Sequence, residues 1–120
     1  MILVVDDSKT MRQQLRMVFE RAGYEVLQAH HGAQGLRLAE RYPNIALMIV
    51  DINMPVMDGF AMIKAVRKLE AHAETPIFVL TTESSKELAD KAKAVGATAR
   101  MTKPFDPSIL LHAAKRMLGG

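Results

Sequence analysis

Five short apolar runs, each followed by a stretch of helical periodicity, constrain this chain more than any other feature of its sequence. Residues 2–5 form a β-branched apolar run that stops at Asp6-Asp7, as a strand buried on both faces does. Ser8 is placed to cap the helix that follows, where Met11, Leu15, Val18, Phe19 and Ala22 recur on one face before Gly23. A second strand is expected over 24–29, and a shorter amphipathic helix over 32–41 carries Ala33, Leu36 and Ala39 and is stopped by Pro43. The third run, 45–50, ends at Asp51, and residues 52–58, with Pro55 and then Gly59, show no clean period and read as a loop. Phe60, Ile63, Val66 and Leu69 mark a third helix, and Pro76 opens a fourth strand over 77–80 that ends at Thr81-Thr82. Ser84 and Glu87, three apart, make a capping box ahead of Leu88, Ala92 and Val95, and Gly96 closes that helix. A weaker fifth strand over 98–102 ends at Lys103-Pro104; Asp106 then caps a last helix with Pro107 at its first position, through Ile109, Leu110, Ala113 and Met117.

Strict alternation of strand and helix implies parallel strands, right-handed crossovers and helices on both faces of one sheet. At 120 residues the chain fits one domain, with a core large enough to need no staples. It contains no Cys, which removes disulfides, thiol chemistry and cysteine metal sites and suits a reducing cytoplasm. The longest apolar runs are too short to span a bilayer, and the N-terminus has no secretory-signal pattern. The net charge of +3 is spread among mixed signs without a basic run, and there is no Trp, so direct nucleic-acid binding is not expected.

In open α/β sheets, ligands bind beyond the carboxyl ends of the strands. Here those ends supply Asp6-Asp7, Asp51, Thr81-Thr82 and Lys103. If the first and third strands are neighbours, three carboxylates converge and raise one another's pKa unless a hard divalent cation such as Mg²⁺ sits among them. A carboxylate nucleophile meeting an anionic phosphoryl group would be served by such a cation, by Lys103 and by a hydroxyl from Thr81. Taken singly, each residue has a plainer reading. Asp6-Asp7 suits a helix cap or Asx-turn equally well, Lys103 a solvated surface and Thr81 an ordinary strand position. Base rates for X–Pro bonds favour trans at Lys103-Pro104. The coincidence of four strand ends with complementary chemistry is what separates the functional reading from these.

The segments Val4-Val5-Asp6-Asp7-Ser8, Asp51 through Gly59, Leu80-Thr81-Thr82-Glu83 and Lys103-Pro104-Phe105 resemble the receiver domain of two-component response regulators. The likeness runs along the whole chain, residues 1–120, and is strongest to the single-domain chemotaxis regulators. It implies a flavodoxin-like, doubly wound five-stranded parallel sheet of order 2-1-3-4-5 with five helices. It implies that Asp51 accepts a phosphoryl group from the phosphohistidine of a sensor histidine kinase. Asp7, Asp51 and the backbone carbonyl of Asn53 would bind Mg²⁺, or Mn²⁺ in its place, with Asp6 acting through water. Thr81 would be the switch hydroxyl and Lys103 the phosphoryl counter-ion. The Lys103–Pro104 bond would be cis, against the base rate. Asn53 and Glu83 would tune how fast the acyl phosphate hydrolyses. An output protein would dock on the face formed by the fourth helix, fifth strand and fifth helix, with the flagellar motor switch as one candidate and a phosphatase as a further partner. The resemblance implies a cytoplasmic protein without membrane insertion.

Two positions depart from that pattern. Receivers usually carry Tyr or Phe three residues before the Lys, where this chain has Arg100, so Arg100 is expected to present charge on the output face instead. Thr82 stands where Ala or Gly is common and would restrict access to Asp51. Met17, Met48 and Met62 are expected to fill the core, His30-His31 to belong to a loop rather than a metal site, and Gly59 to serve the turn into the third helix. Three other readings compete. The chain could be a receiver cut from a longer regulator or hybrid kinase. A haloacid-dehalogenase-like phosphatase would want an acid two residues after its nucleophile, where Asn53 stands. A flavodoxin-like electron carrier would not place two acids at its phosphate cradle.

Overall fold

The computed structural model describes residues 1–54 and 57–119. Pro55, part of the expected loop, and Gly120 lie outside the described residues. The elements run β1 (Ile2–Val5), α1 (Lys9–Arg21), β2 (Val26–Ala29), α2 (Gly32–Arg41), β3 (Leu47–Asp51), α3 (Gly59–Val66), β4 (Ile77–Thr81), α4 (Lys86–Val95), β5 (Ala99–Thr102) and α5 (Pro107–Met117). The five strands form one parallel sheet of order β2-β1-β3-β4-β5.

The strands that read as continuous apolar runs are the ones the sheet buries on both faces. β1, β3 and β4 are buried at every residue, whereas the edge strand β5 alternates between half-buried and exposed. Alternating side chains feed two cores. Leu3, Val5, Met48 and Val50 pack with Met62, Ile63 and Val66 beneath α2, α3 and α4. Ile2, Val4, Leu47 and Ile49 pack with Leu15, Phe19, Leu110 and Ala114 beneath α1 and α5.

Helix ends follow their caps. Ser8, Asp58 and Asp106 each accept a backbone N–H of the following turn, from Met11, from Ala61, and from both Ser108 and Ile109. α1 closes with Gly23 at φ +92°, whose N–H bonds the Glu20 carbonyl while the Tyr24 N–H bonds that of Phe19. His31 caps α2 through Nδ1, which accepts the Gln34 N–H at 3.0 Å.

Several expectations need correction. α4 starts one residue later than the capping box implies. Ser85, not Ser84, is its N-cap and accepts from the Leu88 N–H at 3.2 Å, which leaves Glu87 at the second helical position with no reciprocal bond to make. α3 ends at Val66 rather than reaching Leu69, and a 3₁₀ turn, Glu70–His72, follows. Met48 and Met62 are fully buried, but Met17 is 49% exposed. It lies two residues from both Leu15 and Phe19, the inward positions of α1, and therefore on the other side of that helix. Ile109 and Met117, part of the apolar stripe that marks α5, are also exposed; Leu110 and Ala114 face the core instead.

Gly59 is required by close approach more than by a turn. A Cβ there would press on the backbone carbonyl of Asp51 and lie 2.8 Å from Ile52 Cα. Gly59→Ala is expected to destabilise the fold by about 1–3 kcal/mol through this overpacking, read as a lower urea midpoint with unchanged slope.

Candidate functional site

The register of the sheet assembles the site. β1 and β3 pair with Val5 level with Val50, so the next residues, Asp6 and Asp51, leave the sheet side by side. β3 and β4 pair with Asp51 level with Leu80, which places Thr81 one step beyond. β4 and β5 pair Thr81 with Thr102, and the Lys103 N–H then bonds the Thr81 carbonyl at 2.7 Å. Residues far apart in sequence are thus the neighbours that the strand-end pattern requires.

Asp6 and Thr81 are buried, Asp51 is 5% exposed, and Asp7 is exposed at the mouth. Carboxylate oxygens of Asp6, Asp7 and Asp51 lie within 4.8 Å of one another. Every oxygen of Asp6 has a donor. Ser8 N–H bonds Oδ1 at 2.9 Å, Lys103 Nζ bonds Oδ2 at 2.9 Å, and Arg12 Nη1 bonds its backbone carbonyl at 2.7 Å. Lys103 Nζ also lies 3.4 Å from Asp51 Oδ1, so one ammonium bridges the two buried acids. The Asn53 N–H donates to Asp51 Oδ1 at 3.3 Å, and the Glu83 N–H donates to Thr81 Oγ1 at 3.0 Å. The Lys103–Pro104 peptide bond is cis.

Burial, and then the Asp6 charge, push the Asp51 carboxyl up from its ordinary 3.8 to about 6, against the pull of Lys103 and the Asn53 N–H. Burial disfavours the Lys103 charge, but the hydrogen bond and charge of Asp6, followed by those of Asp51, outweigh it and hold its pKa above the ordinary lysine value. Three carboxylates against one ammonium is a donor set made of hard oxygens with an unmet need for positive charge. That fits a divalent cation of the Mg²⁺ type.

A groove of about 570 Å³ runs beside the cluster between the loop after β3 and the start of α4, lined by Asn53, Met54, Glu83, Leu88 and Lys91 among others. The Lys91 ammonium sits 4.7 Å above the Phe60 ring on its wall. Thr82 is exposed next to Thr81. Arg100 does not enter the cluster: it is exposed on β5 and borders grooves shared with Lys93 of α4 and Ile109 of α5.

Three polar residues escaped the sequence reading. Arg12 holds the loop carrying the two acids by its bond to the Asp6 carbonyl. His72 is fully buried, with Nε2 at 2.9 Å from the Ala39 carbonyl and 3.2 Å from that of Tyr42, and Nδ1 at 2.9 Å from Thr75 Oγ1. Arg67 donates to the carbonyls of His72, Thr75 and Gly96. Their partners are backbone carbonyls or a local hydroxyl, which leave no periodic signal in a sequence.

A parallel sheet of this order, with an acidic pocket and a lysine at its carboxyl edge, defines a doubly wound domain whose ligand site lies beyond the carboxyl ends of its strands. The chain belongs to the response regulator receiver domain family, which it matches over residues 2–115. Chemotaxis protein CheY1 of Helicobacter pylori is 37% identical over 119 residues, covering 98% of this chain and 96% of that one. A CheY homolog of Campylobacter jejuni is 35% identical, covering 98% and 92%. The crystal structure of the chemotaxis response regulator CheY4 of Vibrio cholerae superimposes with a TM-score of 0.91 at 44% identity, covering 97% and 96%. The chain is therefore a signalling switch of the receiver class, and the phosphatase and electron-carrier readings are set aside.

Proposed function

We propose that this receiver stores a signal as an aspartyl phosphate on Asp51. The observation that carries the reading is the bridging ammonium. Lys103 lies between Asp6 and Asp51, where it can leave the carboxylates for a phosphoryl oxygen as one arrives. An oxygen of Asp51 attacks phosphorus, the P–N bond of a kinase phosphohistidine breaks, and the departing imidazole keeps its electron pair and takes up a proton. Hydrolysis by water later returns the carboxylate and inorganic phosphate. Asp7, Asp51 and the Asn53 carbonyl would hold Mg²⁺, with Asp6 contributing through water; when bound, the cation neutralises phosphoryl oxygens. Thr81 would hydrogen-bond the phosphoryl group, and Asn53 and Glu83, at the rim, would govern the approach of water. Thr82 would narrow the approach to Asp51.

The partners this reading implies are a sensor histidine kinase, an output protein on the α4-β5-α5 face with Arg100 at its centre, and a phosphatase, all in the cytoplasm. The chemotaxis relatives make motility control the pathway we favour. Intact mass after incubation with Mg²⁺ and acetyl phosphate is expected to rise by one phosphoryl group, and to stay unchanged when EDTA replaces the metal. Equal phosphorylation with and without the chelator would sink the metal-dependent mechanism.

A further inference from the structure

α4 is attached to the domain asymmetrically. At its C-terminal end Gly96 stands at φ +102°, and its carbonyl receives two N–H groups of one guanidinium, Arg67 Nε at 3.0 Å and Nη2 at 2.7 Å. The remaining arm of Arg67, Nη1, donates to the carbonyls of His72 at 2.9 Å and Thr75 at 2.6 Å. One side chain at the end of α3 therefore ties the end of α4 to the segment that feeds β4. Only a fork of fixed N–H groups can reach three carbonyls in this way, which a lysine cannot do. A Cβ at Gly96 would lie 3.1 Å from Arg67 Cγ and Nε, so the glycine serves both the left-handed turn and the stem of the arginine.

The other end of α4 is held far less. Among the described residues no hydrogen bond joins residues 84–91 to another element, and the Ser85 cap bonds only within its own helix. Leu88 packs on the core and Lys91 rests on the Phe60 ring, both contacts that tolerate sliding. This loose end adjoins Glu83, whose N–H bonds Thr81 Oγ1, and it borders the groove beside the acidic cluster.

We propose that Arg67 is the pivot of α4, fixing its C-terminal end so that a rearrangement at Thr81 and Glu83 is expressed as a swing of its N-terminal half. The inference deepens the phosphoacceptor reading and rests on it for the origin of the rearrangement. The anchor itself is a property of the resting protein. Helix α4, about 15 Å long, acts as a lever arm: little movement at Gly96 and the largest at Ser85. Because the swinging half lines the acceptor groove and the fixed end meets the sheet edge near β5, the pivot decides which part of the output face can change.

The test is amide hydrogen exchange on the full chain, with and without beryllofluoride and Mg²⁺, for wild type and Arg67→Met. In wild type, residues 92–97 should exchange equally in both conditions, and residues 86–91 should change when the phosphoryl mimic is added. In Arg67→Met, residues 92–97 should exchange at least about tenfold faster even without the mimic, while residues 78–80 of β4 stay protected. Unchanged exchange at 92–97 in the variant would overturn the anchor. A wild-type response as large at 92–97 as at 86–91 would overturn the pivot, and it needs no variant. No response anywhere in α4, in protein that mass spectrometry shows to accept one phosphoryl group, would also overturn the proposal while leaving the acceptor reading intact.

Discussion

Asp51→Asn is expected to take up no phosphoryl group from acetyl phosphate and, in metal-free buffer at pH 7, to melt higher than wild type. In the proposed mechanism the first effect is a loss of the nucleophile: an amide oxygen carries no full negative charge and cannot form a stable bond to phosphorus. The second comes from the environment of the carboxylate. Burial and the Asp6 charge raise its pKa from 3.8 to about 6. At about 1.4 kcal/mol per unit, holding Asp51 ionised in the folded chain costs about 2–3 kcal/mol. The sign is that of an acid with a raised folded pKa. Between pH 3.8 and about 6 the folded state holds more protons than the unfolded one, so this residue lowers stability as pH rises through that window, and the penalty is complete above it. Asn53, Lys103 and the backbone remain in place for the isosteric amide, so removing the charge should raise the melting temperature by roughly 5–10 °C. Mg²⁺ should shrink the difference by stabilising wild type alone. Thermal denaturation with EDTA and with Mg²⁺ checks this, and a variant that melts at or below wild type in EDTA would contradict the electrostatic account.

Lys103→Met is the second large effect. The ammonium is 2.9 Å from Asp6 and 3.4 Å from Asp51 and, among the described residues, is the sole cation bonded to both acids. Methionine keeps the length of the stem but leaves the two buried carboxylates facing each other unscreened. The Asp51 pKa should rise further, and the initial rate of phosphoryl uptake should fall about 10²–10³-fold, the typical cost of removing one preorganised charge stabiliser. Mg²⁺ binding should persist, because Asp7 and Asp51 remain. A time course of intact mass at saturating acetyl phosphate measures the rate; a fall of less than about threefold would remove Lys103 from the chemistry.

The sequence made the sheet legible because β1, β3 and β4 are buried on both sides and so carry unbroken apolar runs. It made the site legible because Asp6, Asp51, Thr81 and Lys103 each stand at or just past a strand end, where parallel architecture collects them. What it hid depends on contacts that have no period. Ser84 and Ser85 are chemically equal as caps, and only the geometry of the loop from Thr81 chose between them. Met17 follows helical spacing loosely and fell on the outside because Leu15 and Phe19 had already defined the inward stripe. Arg67, His72 and Arg12 spend their polarity on main-chain carbonyls that any residue could supply. Gly59 looked like a turn residue, but its role comes from the main chain of Asp51 passing beside it.

Asp6, Asp51, Thr81 and Lys103 emerge from strands at one rim of the sheet, whereas the outer surfaces of the five helices contribute almost nothing to that rim. In the proposed function, reaction and recognition therefore occupy separate parts of the molecule. The hydrogen-bonded ladders fix the first, and exposed positions such as Arg100, Ile109 and Met117 are free to define the second. On that reading, a domain divided in this way can acquire a new correspondent by changing its surface alone, with the proposed phosphoryl chemistry left running underneath.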